Sequence, residues 1–585
     1  MVDSKPKEIN KAEKLISEGK TEEALEIVRE FQQNAWSHFI RQESDKALDI
    51  ALQSKKLIEK IGEEVDFARN YLLLGWVYSQ KGDFQISLDF GMKSLDLNRK
   101  LENKIDLASV LYLIGSNHYA NENFDLALEI CRQSLSIKEI NLLDKVGNLH
   151  ILGHISLLKG DLSQALRYFK NGLKLTEKGK IHSFLVRFMY YLGHTYSLLN
   201  DFDKTEEYLK KTIFISEELG FHFYKARALG MLVVMNLISG LHELAQECLD
   251  RLKNFTEKQE NEILTKFYLF TSGFVLSKSN NEQDRAEAEI LLKQVIEDEQ
   301  SSIGMKLYGL YYLCELHIEN LERTNDLKII DKIYLVISLL FNVAERLQSH
   351  MLLSEVKIFQ AKVELIQMNF DEAKILLNQA QKIAELHKIQ ILTQIASNEH
   401  DRLLKQQDEW ERLNNAKAPL KERIKLASFD GILNRIQGRR SEKLPEVDTE
   451  TPVFLLIITE SGIPLFSHSF SRELSFEDDI ISSFISAFNT FSGELFSKGL
   501  DRARFGDYII LIESVESYSV CYLFKGQTYP AKQKLTNFIE GMQNNSMIWQ
   551  TLDKFYRMSQ VAELKDVPLL ESLMSEIFLS KTYEK

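Results

Sequence analysis

Two histidines, His150 and His154, form the first arrangement in this sequence that could support chemistry. A spacing of four residues places both imidazoles on one face of a helix, where they could share a metal ion. No third ligand or acidic partner accompanies them, so we predict no metal site. His194 follows His154 by forty residues, and these two could instead form a pH-sensitive patch. Hydrogen-bonded or surface-lining histidines are the simpler interpretation.

The motifs of the large enzyme classes are missing from the chain. It has no glycine-rich phosphate-binding loop, no HExxH zinc motif, no GxSxG nucleophile motif and no set of kinase motifs. Only His400 and His468 lie beyond residue 390, which leaves the C-terminal region little for acid–base catalysis. We therefore predict no catalytic residues, no cofactor and no enzymatic activity.

The composition is that of an ordinary globular protein, with 44% apolar and 27% charged residues in a chain of 585. The net charge of −13 disfavours a nucleic-acid partner, and no basic recognition helix is evident. The N-terminus is polar, and no apolar run approaches the roughly 20 residues that span a bilayer. The scattered cysteines, without a CxxC pair, indicate reduced thiols. We predict a cytoplasmic protein without integral membrane contact.

A period of about forty residues organises the proline-free segment between Pro6 and Pro419. Each unit has a leucine or isoleucine before a mid-helix glycine, a turn seven residues later and a small residue five positions further on. Glycine costs about 1 kcal/mol in a helix, and the close approach of a neighbouring helix would offset that cost. The repeated pairs are Leu74-Gly75, Ile114-Gly115, Leu152-Gly153 and Leu192-Gly193. The pattern predicts stacked helical hairpins.

This pattern resembles the tetratricopeptide repeat (TPR) family in its Leu-Gly pairs, in Tyr78 and Tyr196, and in the small residue of each second helix. The resemblance implies a right-handed α-α superhelix of TPR-like hairpins over residues 1–400. Two features depart from the family: the period is longer than its usual 34 residues, and the proline that ends its repeats is absent.

The same resemblance implies that the first helix of each hairpin lines a concave groove. Such a surface suits an extended peptide or an amphipathic helix. The lysine and asparagine clamp of chaperone-binding TPR proteins is not matched here, and packing between neighbouring repeats is the alternative role for these side chains. The groove-binding candidates are Trp76, Tyr112, Ser116, Tyr119, His154, Arg187, Tyr190, His194 and Arg227.

Beyond the repeats the character of the chain changes twice. Residues 401–440 keep an apolar stripe amid many charges and are predicted to form capping or bridging helices, with a break at Pro419. Residues 441–452 are polar with two prolines and are predicted to be a linker. From 453 to 585, short apolar runs and helical segments follow in the order ββαβββα, with further helices at the end.

This order, with the stretches ITESGIPLFSHSF and CYLFKGQTYPAKQKL, resembles the small α/β domains of the longin and roadblock family, as found in archaeal TPR proteins. The resemblance implies a platform that contacts a small GTPase or forms a homodimer. It places the contact on a helix over residues 476–497, with the partner-binding candidates Asp479, Ser482, Ser483 and Ser486.

The sequence therefore predicts a non-enzymatic protein–protein interaction scaffold. Its repeats would bind a peptide or helix, and its C-terminal domain would recruit a second protein. The alternative is a ligand-sensing signalling regulator, in which the repeats bind a peptide or small molecule and relay that event to the C-terminal domain.

Overall fold

The computed structural model describes residues 5–61, 63–299, 301–436, 450–459, 464–470, 502–515, 518–558 and 560–579. The chain forms two compact units. The first is Met1–Tyr312 with Asn342–Ser349, and the second is Leu313–Phe341 with His350–Lys585. The fold is mainly helical, with TPR-like hairpins followed by a small antiparallel five-stranded sheet, as the sequence predicts.

The helices of the first unit follow the predicted period. They are α1 (Lys5–Ser17), α2 (Thr21–Ile40), α3 (Ser44–Ile61), α4 (Glu64–Lys81), α5 (Phe84–Lys100), α6 (Lys104–Ala120), α7 (Phe124–Ser136), α8 (Leu142–Lys159), α9 (Leu162–Gly179), α10 (His182–Leu198), α11 (Phe202–Leu219), α12 (His222–Ile238), α13 (His242–Gln259), α14 (Glu262–Ser277) and α15 (Glu282–Glu297). The boundary between the two units passes through α16 (Ile303–Thr324) and α17 (Lys328–Arg346).

The second unit continues the helices and then changes to a sheet. Its elements are α18 (His350–Ile366), α19 (Phe370–Leu386), α20 (Gln390–Lys405), α21 (Gln407–Asn415), α22 (Leu420–Ala427), α23 (Asp430–Ile436), β1 (Thr451–Thr459), β2 (Pro464–Ser469), β3 (Arg502–Phe505), β4 (Tyr508–Val515), β5 (Tyr518–Lys525), α24 (Thr528–Gln543), α25 (Ser546–Met558) and α26 (Pro568–Met574). Within the described ranges, no helix is both long and apolar enough to cross a bilayer.

The turns between paired helices adopt the left-handed backbone that their residues favour. Gly82 and Gly160 end α4 and α8 with φ of 85° and 86°. Asn200, in the equivalent turn after α10, has φ of 58°. Glycine and asparagine reach this region at low cost, so the chain reverses without proline.

The mid-helix glycines lie where neighbouring side chains leave no room for a Cβ. A Cβ on Gly153 would lie 2.4 Å from the ring of Phe169, which comes from the second helix of the same hairpin. At Gly75 the obstacle is Leu113 of the next first helix, at 2.5 Å. The small residues of the second helices are all buried, namely Ser87, Ala127, Ala165, Thr205 and Ala245. Close approach between helices therefore explains the repeated glycine.

The sheet of the second unit has the order β2-β1-β5-β4-β3, with antiparallel neighbours throughout. Leu455 and Ile457 of β1 belong to a cluster that includes α24, while Leu456 and Ile458 belong to a cluster on the opposite face. Burial on both faces explains why β1 is an uninterrupted apolar run. The helix predicted over 476–497 lies outside the described residues.

A buried ionic cluster fixes the sheet to the helices of the second unit. The fully buried guanidinium of Arg502, at the start of β3, lies 3.5 Å from Asp401 on α20 and also contacts Gln381 and Ser397. Asp401 accepts hydrogen bonds from the backbone N–H of Thr528 at 2.8 Å and from its hydroxyl at 2.5 Å. The N-cap residue of α24 is Gln527, whose side chain makes no capping hydrogen bond, and Asp401 supplies the cap from another helix. A carboxylate at a helix N-terminus is favourable in such a place.

A buried lysine holds the bridging helices in the same unit. The ammonium of Lys362 on α18 donates to the carbonyls of Ala427 and Ser428 at the end of α22, at 2.9 and 3.0 Å, and to Glu399 at 2.8 Å. Burial lowers the pKa of Lys362 to about 8. The end of α22 is thus capped from α18. The predicted boundaries at 400, 440 and 452 stay predictions.

We predict that Gly153→Ala lowers the free energy of unfolding by about 1–3 kcal/mol, because the added methyl meets the buried ring of Phe169. Gly304→Ala is the matched control, since its Cβ would make an ordinary 3.6 Å contact with Leu158. Urea denaturation of both variants measures the difference. Equal midpoints for the two would contradict the packing explanation.

We predict that Asp401→Ala lowers the stability of the second unit by about 3–5 kcal/mol, because the buried Arg502 loses the carboxylate 3.5 Å away and Thr528 loses both of its hydrogen bonds to Asp401. The control is Asp408→Ala, which removes an exposed carboxylate nearby. Hydrogen exchange of the β3 and α24 amides would report the loss. Unchanged protection there would show that the cluster does not hold the sheet.

Candidate functional site

Ring-bearing side chains follow one another along the first helices of the hairpins in the first unit. We call this row the aromatic ladder. Its members are Phe39 on α2, Trp76 on α4, Tyr112 and Tyr119 on α6, His150 and His154 on α8, Tyr190, Tyr191 and His194 on α10, and Tyr224 on α12. The helices present these residues in register because equivalent positions recur with the period of the repeat.

Ring contacts connect each step of the aromatic ladder to the next. The centroids of Phe39 and Trp76 are 6.3 Å apart, and those of Trp76 and Tyr112 are 5.1 Å apart. Further along, the His154 and Tyr191 rings lie at 4.8 Å in an edge-to-face arrangement. Such pairs contribute about 0.5–1.5 kcal/mol beyond their buried area, so the ladder also stabilises the stack.

Most of the nine groove candidates are partly open to solvent. Tyr190 and His194 are buried, with 3% and 6% of their surface exposed. The other seven are half-buried, namely Trp76, Tyr112, Ser116, Tyr119, His154, Arg187 and Arg227. Half-burial of large side chains leaves faces that a ligand could cover. The assignment of these residues to a binding groove stays a prediction.

Several members of this region were not singled out from the sequence. Tyr191 contacts His150, His154 and Phe169, and it accepts a hydrogen bond from Arg227. Its position directly after Tyr190 was the available signal. Tyr308 on α16 packs on His194 with centroids 5.4 Å apart. Tyr308 lies where the repeat pattern has degenerated, so spacing could not have identified it.

The histidines of the ladder are neutral near pH 7. Burial lowers the pKa of His154 and of His194 to about 3, and the positive charge of Arg227 adds to the effect. Nδ1 of His154 lies 2.7 Å from the Tyr119 hydroxyl. The His150 and His154 rings are stacked with centroids 6.3 Å apart. In the part of the chain that the structure describes, no three His, Cys, Asp or Glu side chains gather as metal ligands.

Arg227 lies over four aromatic rings at the α12 end of the ladder. Its guanidinium carbon is 4.3 Å from the Tyr190 centroid and 5.4 Å from that of Tyr191, with Phe223 and Phe267 also within 6 Å. One nitrogen donates to the Tyr191 hydroxyl at 3.3 Å. Cation–π contacts of this kind offset part of the cost of burying a charge. The hydrogen-bond partners of Arg227 are tyrosine hydroxyls, and no carboxylate of a described residue forms an ion pair with it.

A cavity of about 910 Å³ lies in the second unit between α19, α20, β4 and α24. Its wall combines polar and apolar side chains, and Lys532 forms an ion pair with Glu385 at 3.2 Å. These charges therefore neutralise each other. The partner-binding candidates Asp479, Ser482, Ser483 and Ser486 lie outside the described residues.

The tetratricopeptide repeat family profile matches residues 68–101. One segment of the chain thus matches the TPR family, and the helical hairpins of the first unit are TPR-like. No curated protein matches it by sequence.

Solved structures that resemble the chain include the apo form of RapI, with 13% identity and a TM-score of 0.41 over 57% of this chain and 95% of the other. A Rap protein complexed with Competence and Sporulation Factor has 16% identity and a TM-score of 0.38, over 58% and 97%. The human IFIT1 dimer with m7Gppp-AAAA has 13% identity and a TM-score of 0.37, over 70% and 87%.

We predict that acid destabilises the first unit through its buried histidines. The pKa of His154 and His194 is about 3 in the fold and about 6.5 when the chain is unfolded, so below pH 6.5 the unfolded state binds more protons. Stability is therefore fully present above pH 6.5 and is lost progressively towards pH 3, by up to about 2 kcal/mol per histidine at pH 5.

Urea denaturation at pH 7 and pH 5 tests this linkage. His154→Gln combined with His194→Gln should flatten the pH dependence, whereas substitution of the exposed His182 by Gln should leave it unchanged. An equally steep loss of stability in both proteins would show that other groups cause it.

Proposed function

We propose that the aromatic ladder of the first unit binds a peptide or helical segment of another protein, and that the chain acts as a non-enzymatic scaffold. The observation that carries the proposal is the continuous row of rings on consecutive first helices, in which Trp76, Tyr112 and Tyr119 are half-buried. Large, rigid aromatic side chains supply contact area at low entropic cost, which is why they dominate interface hot spots.

The ladder favours an elongated ligand over a compact small molecule. From Phe39 on α2 to Tyr224 on α12, its members come from six consecutive first helices. Since interaxial distances between packed helices are about 8–10 Å, this row extends over several tens of ångströms. An extended peptide or an amphipathic helix matches that length.

For the C-terminal region we propose a longin/roadblock-like domain of the archaeal type that recruits a second protein, with a small GTPase or a second copy of the chain as the candidate partner. The five-stranded antiparallel sheet flanked by helices supports this assignment. A cytoplasmic location is proposed with it. The recruitment of a second protein should be tested with the full-length chain. A 445–585 fragment would lack Asp401 of α20, against which Arg502 and Thr528 are buried.

Selection from a phage-displayed library of random peptides on the full-length chain tests the ladder. Enriched peptides should lose roughly tenfold or more in affinity on Trp76→Leu or Tyr119→Leu, because each change removes an aromatic contact face. Phe214→Leu is the matched control, since this aromatic residue is 63% exposed on the second helix α11. Fluorescence anisotropy with synthetic peptides gives the affinities.

Two results would overturn the proposed function. One is failure of the library to yield any peptide that binds the intact protein. The other is equal affinity of the enriched peptides for wild type, Trp76→Leu and Phe214→Leu. Circular dichroism of each variant shows whether the fold is retained.

A further inference from the structure

The arginines of the first helices recur at one position of the repeat. The position six residues before the glycine slot holds Arg69 before Gly75 and Arg187 before Gly193, whereas it holds Ser109 and Gly147 in the two repeats between them. The same position holds Arg227 before Val233, and Arg29 lies one period before Arg69. Four repeats therefore place a guanidinium at equivalent points of their first helices.

In the early repeats the next first helix supplies an aspartate to this arginine. Arg29 makes a two-pronged contact with Asp66, with Nε and one terminal nitrogen each 3.2 Å from a carboxylate oxygen. Arg69 makes a single, longer contact, in which its Nε donates to Asp106 at 3.4 Å. The aspartates are also equivalent, nine residues before their glycine slots. In-chain carboxylates thus satisfy the first two arginines.

In the later repeats the aspartate position holds other residues. The position equivalent to the aspartate is Tyr224 for Arg187 and Leu264 for Arg227. Arg187 lies 4.9 Å from the Phe184 ring, and no carboxylate of a described residue lies within ion-pairing distance of Arg187 or Arg227. The arginine is kept while its acidic partner is lost.

The unanswered arginines share one environment. Arg187 and Arg227 occupy equivalent positions of the neighbouring first helices α10 and α12, and the charges of both oppose the rise that burial causes in the pKa of Tyr224. Two ring nitrogens of the same region, Nε2 of His150 and Nδ1 of His194, are buried without a hydrogen-bond partner among the described residues. These residues are only 9% and 6% exposed. Among the described residues, no carboxylate forms an ion pair with either guanidinium in this region.

We propose that Arg187 and Arg227 bind carboxylates of an acidic peptide. These carboxylates would play the part that Asp66 and Asp106 play for Arg29 and Arg69 in the early repeats. A planar guanidinium matches a carboxylate with two parallel hydrogen bonds, and its partial burial strengthens them. The flanking rings of the ladder would cover the apolar parts of the same peptide. This inference rests on the proposed function and names the chemistry of its ligand.

Libraries of peptides with blocked ends test whether the protein prefers acidic side chains to their amide counterparts. N-acetylated, C-terminally amidated random peptides carry one fixed position as Asp, Glu, Asn or Gln, and a second set leaves the C-terminal carboxylate free. Wild type should bind the best acidic peptides roughly tenfold more tightly than their amide counterparts. The two sets distinguish a side-chain carboxylate from a chain terminus. A phosphoserine-fixed set that bound more tightly than every carboxylate set would overturn the carboxylate assignment.

Variants locate the preference. Arg187→Gln with Arg227→Gln should abolish it, while Arg167→Gln should leave it intact, because Arg167 is an exposed arginine near Tyr168 on the second helix α9. Tyr224→Asp restores the carboxylate that the early repeats contain. This substitution should therefore weaken the binding of acidic peptides without weakening the binding of their amide counterparts. Retention of the preference in the double variant would overturn the inference.

A second readout does not depend on finding a peptide. Glutarate, compared with chloride at equal ionic strength, should raise the melting temperature of wild type by about 2 °C through mass action. The double arginine variant and Tyr224→Asp should show no such rise, and Arg167→Gln should behave like wild type. No rise in wild type would overturn the inference.

The outcomes separate this inference from the proposed function. Peptides that bind through Trp76 without acidic preference would leave the scaffold proposal standing and overturn the carboxylate site. A glutarate effect that depends on Arg187 and Arg227, without any peptide binding, would support the anion site and contradict peptide binding.

Discussion

The close approach of neighbouring helices is the constraint on which the repeat array depends. Gly153 leaves room for the ring of Phe169, and Gly75 leaves room for Leu113. A glycine in mid-helix is unfavourable by itself and becomes useful only when another side chain occupies the space of its Cβ. This requirement recurs every forty residues or so, and it fixes the register that brings the aromatic ladder into one row.

Two arginines of this chain, Arg502 and Arg227, have different kinds of partner. Arg502 in the second unit lies beside Asp401 and within reach of Gln381 and Ser397, as expected for a charge far from water. Arg227 in the first unit is half-buried, and it has aromatic faces and tyrosine hydroxyls but no carboxylate partner among the described residues. A carboxylate partner within the chain stabilises structure, whereas a half-buried guanidinium without one is a candidate for binding a ligand. The difference in partners therefore separates a structural arginine from a candidate binding arginine.

Burial also decides what the histidines can do. Equivalent positions made His154 and His194 look like a pH-sensitive pair, yet their surroundings hold them neutral through the physiological range. Their role in the ladder is that of flat, polar rings that pack on tyrosines. In this geometry the histidines are packing groups, and recognition by the ladder stays a proposal.

The sequence by itself determined the helical period, the position of each turn, the glycine slots and the strands of the C-terminal sheet. These features are local or periodic. The type of a single residue sets a backbone preference or removes a Cβ, and the spacing of apolar residues sets an apolar face. Only the tertiary structure decided that Asp401 caps α24, that Lys362 closes α22, and that Arg227 lies over Tyr190 without an acid. Those contacts join residues far apart in the chain. Sequence spacing alone does not show which distant side chain will pair with a buried charge, or whether any will.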